Sequence, residues 1–171
     1  MITLITGGAR SGKSRYALQG VGEQEFDSGA FGDWTYIATS ELLDDEMRER
    51  VVRHQRERGV RWRTIEEPFE VAARVKELKG IVVVDCLTMW LSNWMARDET
   101  QLDQQIDSLC AAFRKATCHV RAITNEVGSS IVPDNPLARR FRDWSGVMNQ
   151  RVAASADAVY LMVCGLAVRV K

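Results

Sequence analysis

Three prolines, four cysteines, two histidines and no net charge leave this 171-residue chain little material for several common kinds of protein. So few prolines, scattered singly, exclude polyproline and collagen-like segments. The cysteines Cys86, Cys110, Cys118 and Cys164 form no C-x-x-C pair, and each sits in or beside an apolar segment. They read as buried thiols of a reducing compartment, not as zinc ligands or a disulfide framework. The 23 basic and 23 acidic side chains cancel, which removes any global field that would draw the protein to nucleic acid or to an anionic membrane. No apolar run approaches the roughly eighteen residues of a membrane span. The first strand-like run starts at Ile2, leaving no room for a secretory leader. Repeats and low-complexity tracts are absent as well. The expectation is a cytosolic protein with a single domain over residues 1–171, a length at which about 70% of the unfolded surface can be buried.

What the chain does have is concentrated at its start. The apolar run Ile2 to Thr6 leads straight into G-x-x-x-x-G-K-S, from Gly7 to Ser14. A loop made of Gly7, Gly8, Ala9, Arg10, Ser11 and Gly12 can turn successive backbone N–H groups inward, forming a nest for phosphate oxygens at the positive end of the next helix. Lys13 then reaches the β- and γ-phosphates as a mobile point charge, and the Ser14 hydroxyl is placed to ligate the nucleotide's Mg²⁺. A strand before the motif and a helix from Lys13 to about Gln19 supply the context it requires. The chain is therefore expected to bind a nucleoside triphosphate.

Beyond the loop, strand-like and helix-like patches alternate, the pattern of a parallel sheet covered by helices. Glu23 to Asp33, rich in glycine and acid, reads as a surface loop. Trp34 to Ala38 reads as a strand ending in Thr39 and Ser40, whose hydroxyls either face a ligand or merely begin a turn. A helix capped by Asp44 or Asp45 runs to about Arg58 and places Met47, Val51, His54 and Arg58 on one face. His54 lies among Arg50, Arg53, Arg56, Arg58 and Arg61. That setting suits a half-buried packing histidine, and it equally suits an imidazole nucleophile beside a bound phosphate.

Val60 to Ile65 reads as a strand closed by Glu66-Glu67-Pro68, with Glu66 a candidate acceptor for a base or ribose, or simply a solvated carboxylate. Phe69 to Leu78 looks helical. Gly80 to Asp85 is a β-branched run of the kind buried on both faces, and Asp85 at its carboxyl end is placed to complete a Mg²⁺ site with Ser14. Helices are expected over Leu87 to Ala96 and Leu102 to Ala116, with Trp90 and Trp94 read as packing or subunit-contact residues. His119 to Thr124 is a further strand, in which His119 is structural, and it ends in the polar segment Asn125 to Ser130. A long helix from Asn135-Pro136 to about Ala156 carries Arg139, Arg140, Arg142 and Arg151. Ala158 to Val163 and Ala167 to Val170 read as an antiparallel pair joined at Gly165.

Taken in order, the segments TGGARSGKS (Thr6 to Ser14), YIATS (Tyr36 to Ser40), DDEMRERVVRH (Asp44 to His54), WRTIEEP (Trp62 to Pro68) and DCLTMWL (Asp85 to Leu91) resemble a known family. TNEVGSSIVP (Thr124 to Pro133) and the LARRFRD and NQRVAA segments within Leu137 to Ala154 extend the likeness. The sequence is similar to the bifunctional adenosylcobinamide kinase / adenosylcobinamide-phosphate guanylyltransferases of cobalamin synthesis, over nearly its whole length. The motifs after Ser14 carry that likeness more specifically than the phosphate loop, which fits many nucleotide binders.

The resemblance implies an α/β fold of the P-loop NTPase, RecA-like kind: a mostly parallel sheet with helices on both faces and an antiparallel C-terminal strand. It implies phosphorylation of the aminopropanol hydroxyl of adenosylcobinamide, then transfer of GMP from GTP to that phosphate, giving adenosylcobinamide-GDP and pyrophosphate. His54 becomes the guanylylated residue and Lys13 its catalytic companion. Nucleotide contacts carry over to Gly7 through Ser14, to Ala38, Thr39 and Ser40, to Gln55, Arg56, Glu57 and Arg58, and to Glu66 and Asp85. GTP, ATP and Mg²⁺ are the implied cofactors, a corrinoid the implied substrate, and a homo-oligomer, a trimer, the implied assembly. Glu126 is a candidate base for the kinase step. Two other classes fit the residues alone: a kinase of another small metabolite, with His54 as packing, and a GTP-binding regulatory module without turnover.

Overall fold

The structure is a computed structural model that describes residues 1–19, 33–41 and 61–171. The helix expected to end near Arg58, with His54 on it, and nearly all of the Glu23 to Asp33 loop lie outside those residues. The described strands form one seven-stranded sheet. In chain order they are β1 (Ile2–Gly7), β2 (Trp34–Ala38), β3 (Arg63–Glu66), β4 (Ile81–Asp85), β5 (His119–Ile123), β6 (Ala158–Val163) and β7 (Leu166–Arg169). The described helices are α1 (Lys13–Gln19), α2 (Val71–Glu77), α3 (Leu87–Asp98), α4 (Leu102–Lys115) and α5 (Pro136–Ser155), with a 3₁₀ turn at Glu99–Gln101.

Across the sheet the order is β3-β2-β4-β5-β1-β6-β7, parallel except for the β6–β7 pair. Strand residues alternate between two cores because successive side chains point to opposite faces. Leu4, Val82, Val84, Val120 and Ala122 pack with α2, α3, α4 and α5 on one face. Ile5, Tyr36, Val83, Ile123 and Met162 pack with Ala17 of α1 on the other. Strands buried on both faces explain the unbroken apolar run at Ile81 to Val84.

Local chemistry fixes the boundaries. Asn135 caps α5, its Oδ1 accepting from Leu137 N–H at 2.8 Å and Ala138 N–H at 3.3 Å, and Pro136 occupies the first turn, where its missing N–H costs nothing. Strand β3 is Arg63–Glu66, beginning after Trp62 and taking in Glu66, because its pairing with Thr35–Ala38 of β2 sets its extent; Val60, where the strand is expected to start, lies outside the described residues. Helix α2 starts at Val71, later than expected, because Glu67 accepts from the N–H groups of Phe69 and Glu70 and holds that stretch in a turn. Trp90 and Trp94 are buried and donate to the Phe69 carbonyl, in keeping with packing residues. The thiols of Cys86, Cys110 and Cys118 are buried as expected, but Cys164 is exposed, since it sits in the β6–β7 turn.

Candidate functional site

The Gly7 to Ser14 loop is shaped by backbone conformations that side chains would obstruct. Gly7 has φ +149°, and a Cβ there would lie 2.6 Å from the Met162 carbonyl oxygen and 2.8 Å from Ser11 Oγ. Gly12, at φ +96°, backs onto the hairpin turn: an added Cβ would meet the Gly165 Cα at 3.2 Å. With Arg10 also at positive φ, 55°, the chain coils through left-handed bends before α1 begins. The Ser11 carbonyl accepts from Gly165 N–H at 3.1 Å, so the β6–β7 turn braces the loop from behind.

Lys13 is 8% exposed, and its Nζ donates to the carbonyls of Gly7 at 2.9 Å and Gly8 at 2.6 Å. Burial lowers its pKa, opposed by the attraction of Asp85 and Cys86. The ammonium is thus held against its own loop, where incoming phosphate oxygens can compete for it. Asp85 faces it from the end of β4. One carboxylate oxygen, Oδ2, accepts from Ser14 Oγ at 2.7 Å and from Tyr36 OH at 2.6 Å. The two oxygen groups expected to share a magnesium ion are therefore in direct contact.

The other carboxyl ends of the strands complete the floor. Thr39 is fully buried; its hydroxyl donates to the Cys86 carbonyl at 2.7 Å and accepts from Cys86 N–H at 2.8 Å, while its own N–H donates to the Asp85 carbonyl at 3.1 Å. Thr39 therefore clamps the junction after Asp85. Asn93 of α3 donates to the carbonyls of Thr39 at 2.7 Å and Pro68 at 3.1 Å, tying the β2 and β3 ends together. Burial pushes the Cys86 thiol up to about 11, with the nearby Asp85 charge adding to the shift. At the end of β5, between β4 and β1, Glu126 N–H donates to the Gly7 carbonyl at 3.1 Å. That corner is set by Thr124 Oγ1, which donates to Asn149 Oδ1 at 2.8 Å, by Asn149 Nδ2 donating to the Asn125 carbonyl at 3.3 Å, and by Asn125 N–H donating to Thr88 Oγ1 at 2.8 Å.

Among the expected site residues, Gly7 to Ser14 and Asp85 converge. Ala38, buried, ends β2 beside Asp85, and its carbonyl accepts from Glu67 N–H at 2.9 Å. Ser40 follows with its hydroxyl directed to the Glu41 carbonyl at 3.5 Å. Glu66 is exposed at the end of β3, the strand at the far edge of the sheet from β7. His54, Gln55, Arg56, Glu57 and Arg58 lie outside the described residues.

Three contributors were given no role in the site from the sequence, although Tyr36 and Asn149 open the YIATS and NQRVAA segments. Tyr36 reaches Asp85 only because the register sets Ala38 beside Asp85. Asn149 lies 24 residues from the Asn125 carbonyl that it holds. Arg121, 2% exposed on β5, donates to the Ala17 carbonyl at 2.9 Å and fastens α1 to the sheet.

A glycine-bent loop between a buried parallel strand and a helix, a buried lysine, and a serine bonded to the aspartate of a second strand define a P-loop nucleotide-binding protein. The chain belongs to the cobinamide kinase / cobinamide phosphate guanyltransferase family, which matches residues 3–170. It is 38% identical over 190 aligned positions to the bifunctional adenosylcobalamin biosynthesis protein CobU of Salmonella typhimurium, covering 100% of both chains. It is 37% identical to the protein of the same name from Escherichia coli, again over 100% of both chains. With the bifunctional adenosylcobalamin biosynthesis protein CobP of Pseudomonas aeruginosa it shares 36% identity over 100% of this chain and 98% of that one.

Proposed function

We propose that this chain is a bifunctional transferase of cobalamin biosynthesis, acting as one P-loop domain. It phosphorylates the aminopropanol hydroxyl of adenosylcobinamide and then transfers GMP from GTP to the resulting phosphate, releasing pyrophosphate. What supports this is the full-length likeness to proteins named as bifunctional, joined to a site in which the phosphate loop, Lys13 and the Ser14–Asp85 pair converge.

In the first step the N–H groups of the Gly7 to Gly12 loop and the Lys13 ammonium hold the β- and γ-phosphates and take up the charge that develops as the γ-phosphoryl leaves. Ser14 and Asp85 offer hard oxygen ligands, which suit Mg²⁺: it takes few protein ligands and fills its shell with phosphate oxygens and water. Bound there, Mg²⁺ would neutralise phosphate charge. ATP and GTP both fit this role.

In the second step the neutral imidazole of His54 attacks the α-phosphorus of GTP, and pyrophosphate leaves into the same cradle. The cobinamide phosphate then displaces the histidine. Ala38, Thr39, Ser40, Gln55 to Arg58 and Glu66 are assigned to the nucleotide's base and sugar side, with Thr39 acting through the backbone it clamps. The protein is assigned, on its likeness to the family, to the cytoplasm as a homo-oligomer, a trimer.

The test is product analysis. Given adenosylcobinamide, ATP and GTP, the wild-type protein yields adenosylcobinamide-GDP and pyrophosphate, whereas His54→Ala stops at adenosylcobinamide phosphate. Wild-type protein that leaves the corrinoid unchanged refutes the reading.

A further inference from the structure

The two acceptors of the proposed reactions differ in a way that the carboxyl end of β5 answers. The first acceptor is an alcohol, which must lose a proton as it attacks. The second is a phosphate, already anionic, which needs no base. Asp85 is already committed: its Oδ2 accepts from Ser14 and Tyr36, and the carboxylate is the one assigned to Mg²⁺ with Ser14. Glu67 is taken up by the N–H groups of Phe69 and Glu70 and by Arg74 at 3.1 Å. Glu66 ends the edge strand β3, separated from β1 by β2, β4 and β5.

Glu126 is placed differently. Its strand runs between β4 and β1, and its N–H is bonded to the Gly7 carbonyl that also receives Lys13 Nζ. One carboxylate oxygen, Oε1, accepts from Gly128 N–H at 2.7 Å, which fixes the group; Oε2 has no hydrogen bond among the described residues. A Cβ at position 128 would come within 3.0 Å of Oε1, so the clasp is close.

The segment that follows has a second property. Ile131 is 92% exposed and Val132 59% exposed, yet the backbone around them is tied down. Arg142 donates to the Ser130 carbonyl at 3.4 Å, and Arg139 donates to the carbonyls of Pro133 at 2.9 Å and Asp134 at 2.7 Å. Helix α5 thus holds two apolar side chains in water, on the same loop as the open carboxylate. A corrinoid carries methyl groups between the amide arms of its rim, and one of those arms ends in the reactive alcohol; the methyl groups are the chemistry such a wall would meet.

We propose that Asn125 to Val132 forms the acceptor wall of the site, with Ile131 and Val132 against the corrinoid and Glu126 as the general base of the phosphorylation step. The alcohol oxygen forms a bond to the γ-phosphorus, the bond from that phosphorus to the β–γ bridging oxygen breaks, and the alcohol's proton passes to Glu126 Oε2. This inference rests on the function proposed above.

The test supplies the two acceptors separately to wild type, Glu126→Gln and an Ile131→Ser/Val132→Ser double variant. For Glu126→Gln, kcat with adenosylcobinamide is expected to fall about 100-fold or more, the usual share of a general base. The same variant should still form adenosylcobinamide-GDP from adenosylcobinamide phosphate and GTP. The double variant is expected to raise KM for both corrinoids about tenfold while leaving GTP-dependent labelling of the protein unchanged. Wild-type turnover of adenosylcobinamide by Glu126→Gln overturns the base, and so does equal loss of both steps, which would mark Glu126 as a mere support of Gly7. Unchanged KM values in the double variant overturn the wall. A wild-type protein inert towards both acceptors overturns the underlying function instead, and this inference with it.

Discussion

Replacing Tyr36 by Phe removes the hydroxyl that bonds Asp85. The ring keeps its place in the core beneath α1, and the hydroxyl that donates to Asp85 Oδ2 at 2.6 Å is lost. Tyr36 is 4% exposed, so water does not readily replace the donor. A hydrogen bond to a charged group is worth about 1.5–3 kcal/mol. In a chain of this size each kcal/mol moves Tm by about 2–4 °C, which gives an expected fall of roughly 3–12 °C. The second consequence is functional. With Tyr36 gone, Asp85 keeps Ser14 as its one remaining side-chain partner among the described residues, and its carboxylate is no longer held towards the phosphate side. Loss of about 1.4 kcal/mol of that orientation corresponds to a tenfold weaker apparent affinity for magnesium–nucleotide. Thermal melts in chelator measure the first effect; titration of a fluorescent GTP analogue at fixed and varied Mg²⁺ measures the second. A Tm within a degree of wild type, with an unchanged Mg²⁺ dependence, would refute the role given to Tyr36.

Further outcomes follow from the same geometry. Gly7→Ala forces a Cβ to within 2.6 Å of the Met162 carbonyl and 2.8 Å of Ser11 Oγ, so the loop must shift. The expected cost is about 1–3 kcal/mol in stability, with nucleotide binding lost by equilibrium dialysis, and a variant that binds GTP normally would contradict the loop geometry. With a thiol reagent at neutral pH, Cys164 is expected to react promptly and the buried Cys86, Cys110 and Cys118 only on unfolding. Cys164→Ser should abolish the fast phase, and a second fast-reacting thiol would contradict the burial. Cys86 also predicts an alkaline limit. Burial raises its folded pKa to about 11, above the 9.0 of a free thiol, so its contribution to stability is full below pH 9 and is lost as pH rises towards 11. Urea midpoints across that range should fall less steeply in Cys86→Ala, and equal slopes would exclude the contribution.

The parts of this fold that are legible in the sequence are those written locally. Gly7 to Ser14 declares itself because phosphate binding demands a fixed spacing, and Ile81 to Asp85 because a strand buried on both faces has to be apolar throughout. Strand order is different in kind. Nothing local in His119–Ile123 says that it lies between β1 and β4, yet that placement brings Glu126 to Gly7. Tyr36, Asn149 and Arg121 act across register or between distant elements, so their residue types do not show these contacts until the sheet assembles. Cys164 shows the converse limit: apolar neighbours in sequence suggest burial, but in a two-stranded edge hairpin those neighbours, Val163 and Leu166, are themselves exposed. Thr39 falls between the two cases. The carboxyl end of β2 is where a ligand is expected, and the hydroxyl there is spent on the Cys86 backbone.

The claim on which the rest depends is that His54 takes the nucleotide's α-phosphorus while the Gly7 to Ser14 loop retains the departing pyrophosphate. It is tested most directly by incubating the protein with Mg²⁺ and GTP labelled at either the α- or the γ-phosphate, without corrinoid, and measuring acid-labile, base-stable label on the chain. The account predicts label from the α-phosphate alone, absent in His54→Ala. Unlabelled wild-type protein, or label that persists in His54→Ala, would contradict it.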